Sequence, residues 1–295
     1  MDLNHYGELI PNKVKYDPIR EFCLLENVNE EYMRSLIKRD SSKGGGVTKM
    51  EEKRASRKKV LGYVAAVLLL FIFQEALVRA GTVIADLFSY EKCDPYDAYA
   101  WNYVHHITIL VFALIIILIL SKLLKTDFGL GLGDRKIGTK FVFMYTTIFT
   151  GITLVVHIIM QVTDTLPVYA FPLNSSNIIG TLSFQLFLTG PAEETLFRAL
   201  PITILVYISG RNIKTKWGIT LETIIASFLF AIAHAKWSLF PFAFEADYFQ
   251  LIYAFAQGII SGKVYQDSKS IMYPMFMHSI SNVLMTGTGY LFLLL

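Results

Sequence analysis

Charge is what this 295-residue sequence is short of. Asp, Glu, Lys and Arg make up 17% of it, against roughly 25% in an ordinary soluble domain. Hydrophobic residues make up 54%, and the mean hydropathy is +0.46. A soluble globule of this size cannot cover itself with so few charges. Two cysteines are too few for a disulfide-stapled secreted fold. They are Cys23 and Cys93, expected on opposite sides of a bilayer, so no internal disulfide is expected. Basic residues are not interleaved with aromatics as on a nucleic-acid-binding module, and no nucleic-acid partner is expected. The start lacks the short apolar core of a signal peptide, and no inverted repeat is visible. What is present are long apolar runs. They predict an all-α fold: a polytopic transmembrane bundle of seven to eight helices with the lipid bilayer as its surroundings.

The charges that do occur are unevenly placed. Residues 1–59 hold 13 Lys/Arg and 10 Asp/Glu, whereas residues 60–295 hold 14 of each. The net +3 therefore lies in the first fifth. Residues 1–59 read as a polar cytoplasmic tail and 60–295 as a transmembrane domain. Within the tail, Leu25, Val28, Tyr32, Leu36 and Ile37 predict a helix over 24–38. Ser41, Ser42 and Gly44–Gly46 then read as a flexible linker. Lys53, Arg54, Arg57, Lys58 and Lys59 form a basic collar before the first apolar run.

Seven apolar segments follow, at about 60–80, 101–121, 141–160, 178–209, 219–240, 248–264 and 271–294. The fourth is too long for one straight span and too short for two. Pro191 and Pro201 predict that it is kinked or broken. With the N-terminus inside, the loops at 122–140, 210–218 and 263–270 gather 10 of the 14 basic residues of the body. This is the distribution of a multi-pass integral membrane protein with a cytoplasmic N-terminus. The compartment would be the cell membrane in a prokaryote or the endoplasmic reticulum in a eukaryote. Asn174–Ser175–Ser176 also matches a glycosylation acceptor, a triplet common by chance.

Ionisable groups inside apolar segments cost about 2.5–3.5 kcal/mol each on insertion scales, so each needs a reason. Glu75 and Arg79, four apart, read as a structural ion pair. His157 reads as a satisfied core histidine. His105 and His106, near Trp101 and Tyr103, read as part of an interfacial belt. The remaining polar groups fall late in the chain: Glu193, Glu194 and Arg198 on the fourth segment, Phe230 and His234 on the fifth, His278 and Asn282 on the seventh. Four-residue spacing puts Glu194 with Arg198, and His278 with Asn282, on shared helix faces. Glu193 points about 100° away from Glu194. If Glu194 is committed to Arg198, Glu193 has no partner on its own helix and is free to act as a base.

These residue types suit hydrolysis by activated water. Glu193 or His234 would take the proton, and His278 with Asn282 would donate to the oxyanion. No Ser, Cys or Lys nucleophile stands on the shared faces; Ser279 and Ser281 point away from the His278–Asn282 face. Alternatives stay open. Glu193, His234 and His278 also form a set suited to zinc or another divalent metal, although no His-Glu-x-x-His helix is present and no cofactor is preferred. A proton-coupled transporter also uses buried Glu and His. A purely structural polar network is the third alternative.

Taken together, Glu193-Glu194-x-x-x-Arg198, Phe230-x-x-x-His234 and His278-x-x-x-Asn282 on apolar segments resemble the CPBP (CAAX protease and bacteriocin-processing, Abi) family of intramembrane endopeptidases. The resemblance covers about 178–290. It implies a glutamic-type intramembrane protease in which Glu193 activates water with help from His234. It implies that His278 and Asn282 stabilise the oxyanion, with Glu194, Arg198 and Phe230 supporting. Its substrates would be prenylated CAAX proteins or peptide precursors. Some relatives are non-proteolytic scaffolds or immunity proteins, and the complete motif set argues against that here.

Overall fold

The computed structural model describes residues 29–210, 212–215, 218–239 and 242–295; Cys23 and the start of the helix expected at 24–38 lie outside them. The chain divides into two units, residues 1–61 and 62–295. Helix α1 spans Glu30–Ala85. Its backbone passes through 41–46 without a break, so the linker expected there is helical instead. Glycine costs only about 1 kcal/mol relative to alanine in a helix interior, which a long flanking helix can offset.

In the second unit, α2 spans Ala100–Leu124 and α3 spans Arg135–Val162. The apolar part of α1 (Val60–Ala85), α2 and α3 are each long and apolar enough to cross a membrane. Exposed Leu, Ile, Val and Phe cover their outer faces, among them Leu69, Ile72, Ile115, Phe143 and Val155. That pattern suits lipid rather than water. Helices α8 (Tyr248–Ser268, 21 residues) and α9 (Met272–Leu294, 23 residues) have the length for a span, about 32 and 34 Å. They are less apolar, because they carry inward polar groups such as Gln257, Tyr265, His278 and Asn282.

The fourth segment is one bent rod. It contains α4 (Ser175–Phe184), a π-helical turn (Gln185–Thr189), α5 (Gly190–Glu194), a second π turn (Thr195–Ala199) and α6 (Leu200–Ser209). Each π turn ends just before a proline, Pro191 or Pro201. Proline has no N–H and crowds the carbonyl four residues back, and widening the turn relieves both problems. In the second turn, the carbonyl that would face the Pro201 nitrogen is that of Leu196. Buried Gln74 of α1 donates to it instead, at 3.0 Å.

The fifth apolar segment departs most from expectation. Helix α7 covers only Leu221–Ile232, and a β-hairpin follows, β1 (Lys236–Leu239) with β2 (Phe242–Glu245). Twelve residues rise about 18 Å, too little to cross a 30 Å hydrocarbon core. The helical period gives way after Ile232 to an alternating one. Trp237 and Leu239 lie across from Phe244 and Phe242, and Lys236 faces Glu245. Thr220 caps α7, while Thr220 and Thr223 both donate to Gln266 at 2.7 Å and tie α7 to α8.

Loops fix where the helices start. Phe128 and Leu132 accept hydrogen bonds from Tyr265 and Tyr273, so the loop after α2 is laced to the α8–α9 turn. Cys93 is exposed and unpaired in the loop before α2. Asn174 serves as the N-cap of α4, accepting from the Asn177 amide. His157 is buried against the Thr153 carbonyl at 2.9 Å. Arg79 and Glu75 pair at 4.0 Å, with Arg79 also over the Trp237 ring.

Asp94 organises the entry to α2. Its carboxylate accepts from the amides of Ala98, Tyr99 and Ala100 at 3.0, 2.7 and 2.8 Å. Burial alone would raise its pKa, but these amides and that of Tyr96 outweigh burial and hold it below the ordinary value of 3.8. A depressed carboxylate stabilises the fold above the unfolded pKa and loses that contribution as pH falls through the folded one. Asp94→Ala should therefore cost about 1–2 kcal/mol at neutral pH. Thermal melts in detergent from pH 7 to pH 2 should show the gap between wild type and variant closing at the acid end.

Candidate active site

Four elements meet at one polar point inside the second unit: α2, the α5 segment with its flanking π turns, the end of α7, and α9. The approach of α5 to α9 depends on Gly190. A Cβ there would overlap the Met275 carbonyl oxygen and crowd Ser279 Oγ. Small residues at such crossings let helix backbones touch.

Glu194 and Arg198 are almost completely buried and pair at 3.3 Å, Oε2 to Nε. The Arg198 guanidinium lies 3.7 Å from the centre of the Phe230 ring. Among the described residues, its nitrogens have no hydrogen-bond partner, so the ion pair and the aromatic face replace water for this charge. The other oxygen of Glu194 sits 2.8 Å from His278 Nδ1. An ionised carboxylate only accepts, so His278 Nδ1 carries the proton.

Glu193 points elsewhere, as a 100° helical step requires. Its side chain is 19% exposed. Oε1 is 3.3 Å from His106 Nε2, and Oε2 is 3.7 Å from His278 Nε2. The second separation exceeds a hydrogen bond. His278 thus stands between the two glutamates, fastened to Glu194 and facing Glu193 with its other nitrogen free.

His234 lies just past the end of α7 rather than on a span. Its Nδ1 is 2.9 Å from the Phe230 carbonyl, and its ring meets the Phe230 ring edge-on at 4.6 Å. Phe230 also contacts His278, with ring centres 6.0 Å apart. A single phenyl ring therefore spaces Arg198, His234 and His278. His234 lines a polar cavity of about 380 Å³ together with Lys236, Glu245, Asp247 and Gln250. Asn282, one turn beyond His278 on α9, donates from Nδ2 to Gln185 Oε1 at 2.9 Å; Thr189 donates to the same oxygen. Among the described residues, the second amide hydrogen of Asn282 has no hydrogen-bond partner.

His105 and His106 differ in their contacts: Trp101 stacks on His105 and donates to Asp86, whereas His106 reaches Glu193, a contact that an interfacial belt does not predict. Gln185 also joins the site. Both His106 and Gln185 are polar residues within apolar segments, but neither belongs to a spaced motif. Serines enter as structure: Ser281 Oγ bonds the His278 carbonyl, and Ser279 is packed against Gly190. Among the described residues, no three His, Cys, Asp or Glu side chains are grouped to hold a metal ion.

Removing Glu194 would leave Arg198 buried and unpaired and His278 unanchored. Glu194→Ala should lower stability by about 3–5 kcal/mol, read as a fall in melting temperature in detergent. An unchanged melting temperature would show that the pair does not hold the site.

No curated protein and no solved structure matches the chain. A family model described as Type II CAAX prenyl endopeptidase Rce1-like matches residues 175–284. That stretch begins at the first residue of α4 and includes all three motifs, and it agrees with the CAAX-protease family that the motifs resemble. The matched stretch, residues 175–284, carries every residue of the three motifs and is similar to the Rce1-like Type II CAAX prenyl endopeptidases.

Proposed function

We propose that this chain is a multi-pass membrane endopeptidase that hydrolyses a peptide bond of a membrane-associated or lipidated substrate with water activated at Glu193. The observation that carries the reading is the division of labour between two adjacent glutamates. Glu194 is consumed by Arg198 and His278, and Glu193 keeps Oε2 beside His278 Nε2 at 3.7 Å, beyond hydrogen-bond distance. In this reading Glu193 takes a proton from water, and the hydroxide adds to the peptide carbonyl. With Nδ1–H held by Glu194, His278 acts here in its imidazolium form, and its Nε2 hydrogen and the spare Asn282 amide hydrogen stabilise the oxyanion. Collapse breaks the C–N bond, and the proton passes to the departing amine. His234 assists at the water, and no metal ion is used.

The family description favours a prenylated CAAX substrate. An apolar groove of about 580 Å³ lined by Phe141, Tyr145, Phe149, Tyr253 and Met277 has the size and lining to take an apolar chain. We further propose residues 1–59 as a cytoplasmic tail and 60–295 as the protease domain, with seven or eight membrane-inserted elements. In that count α7 enters without crossing. Glutamic rather than metal-assisted hydrolysis predicts activity that survives strong chelators.

Cleavage of a farnesylated CAAX peptide by the purified protein in liposomes tests the proposal. Glu193→Gln should abolish it while leaving the protein folded; retained turnover would end the base assignment. Asn282→Ala should lower kcat about 10²–10³-fold with little change in KM. New peptide termini in membranes carrying wild type but not Glu193→Gln would identify other substrates. Ion-dependent flux without new termini would point to transport instead.

A further inference from the structure

The contacts of His106 fix where its protons sit. His105 Nε2 lies 3.2 Å from the Val78 carbonyl oxygen, which only accepts, so His105 is protonated there. In neutral His105 the other nitrogen, Nδ1, is then a lone pair. It faces His106 Nδ1 at 3.4 Å. His106 Nδ1 also lies 3.0 Å from the Asn102 carbonyl oxygen. Two acceptors thus meet one nitrogen, and His106 Nδ1 must carry a hydrogen. Were His105 to donate instead, His106 Nδ1 would present a lone pair to the Asn102 oxygen. His106 Nε2 is thereby left as the nitrogen that meets Glu193 Oε1 at 3.3 Å. Two lone pairs do not attract, so this contact needs one further proton, on Nε2 or on Oε1.

We propose that His106, set in its Nδ1–H form by His105 and the Asn102 carbonyl, is a positioning residue of the site that shares one proton with Glu193 Oε1 and so reserves Oε2 as the basic oxygen. This rests on Glu193 being the base. When Oε2 acts as the base, the shared proton lies on His106 Nε2 and is donated to Oε1, so that Glu193 is a carboxylate. The proton from water arrives at Oε2 and leaves with the amine, so each cycle returns the pair to its starting state. Among the described residues, Phe184 meets the His106 ring edge-on at 4.8 Å, His278, His234 and Arg198 interact electrostatically with the Glu193 carboxylate, and Asp86 with His105. The nearest charged partner of His106 is therefore Glu193.

The consequence is a working form that holds the shared proton and a basic limb on which it is lost. His106→Gln can place an amide N–H near Nε2 but does not titrate. His106→Phe keeps ring packing against Phe184 and removes the contact. With the farnesylated peptide in liposomes, His106→Phe should lower kcat about 10²-fold, the low end for loss of a proton-transfer partner, with KM nearly unchanged. His106→Gln should recover much of that loss and lack the basic limb of the wild-type kcat profile. Nitrogen NMR of protein labelled at histidine gives a readout that needs no substrate. His106 should show protonated Nδ1, and its titration midpoint should move in Glu193→Gln. Both variants within two-fold of wild type, or a His106 midpoint indifferent to Glu193→Gln, would overturn the proposal. If the wild type cleaves no peptide, the functional reading fails, while the NMR comparison still decides whether His106 and Glu193 share a proton.

Discussion

A guanidinium shut away among apolar helices needs its charge answered locally, and the rest of the site follows from how that is done. Arg198 is answered by Glu194 one turn before it and by the face of Phe230. Neither partner is left free. Glu194 uses its remaining oxygen to fasten His278, and Phe230 spaces His278 from His234. One ion pair thereby locates side chains from α9 and from the end of α7 against α5. Breaking it would expose a buried charge at a cost of several kcal/mol, which keeps the arrangement in a single state.

The backbone makes this arrangement reachable. Two prolines open two π turns around the short helix that holds Glu193 and Glu194. A rod with wide turns can bring Gln185, Glu193, Glu194 and Arg198 toward neighbours that a straight α-helix would present differently. Gly190 then lets the rod lie directly on α9. Gln74 supplies a hydrogen bond that Pro201 cannot, so the second distortion is satisfied from α1. Proline, glycine and one buried amide thus shape the site without entering its chemistry.

Spacing within a helix was readable; contacts between helices were not. The four-residue step from Glu194 to Arg198 predicted their pairing, and the 100° step predicted that Glu193 would face elsewhere. What Glu193 would face depended on α2, some 87 positions earlier in the chain. Beside Trp101 and Tyr103, His106 had the composition of an interfacial belt. Only rotation of α2 about its axis assigns one histidine of the pair to the carbonyl of Val78 and the other to a carboxylate. His234 shows the same limit: hydropathy saw a continuous apolar segment where the chain turns into a hairpin. Tryptophan, phenylalanine and leucine serve a strand as well as a membrane helix, so mean hydropathy could not separate the two.

Low charge and long apolar runs determined by themselves that this chain belongs in a bilayer, because water would not tolerate its surface. Three spaced motifs likewise determined which residues depart from that rule and which family they resemble, since a charged side chain within an apolar run survives only with a reason. The tertiary structure alone decided the partners. It gave Glu194 to Arg198 and His278, Glu193 to His106, and Asn282 to Gln185. The physical reason is the range of each constraint. Transfer to lipid and helical periodicity act residue by residue along the chain, whereas a hydrogen bond acts over about 3 Å between segments whose meeting depends on every packed neighbour.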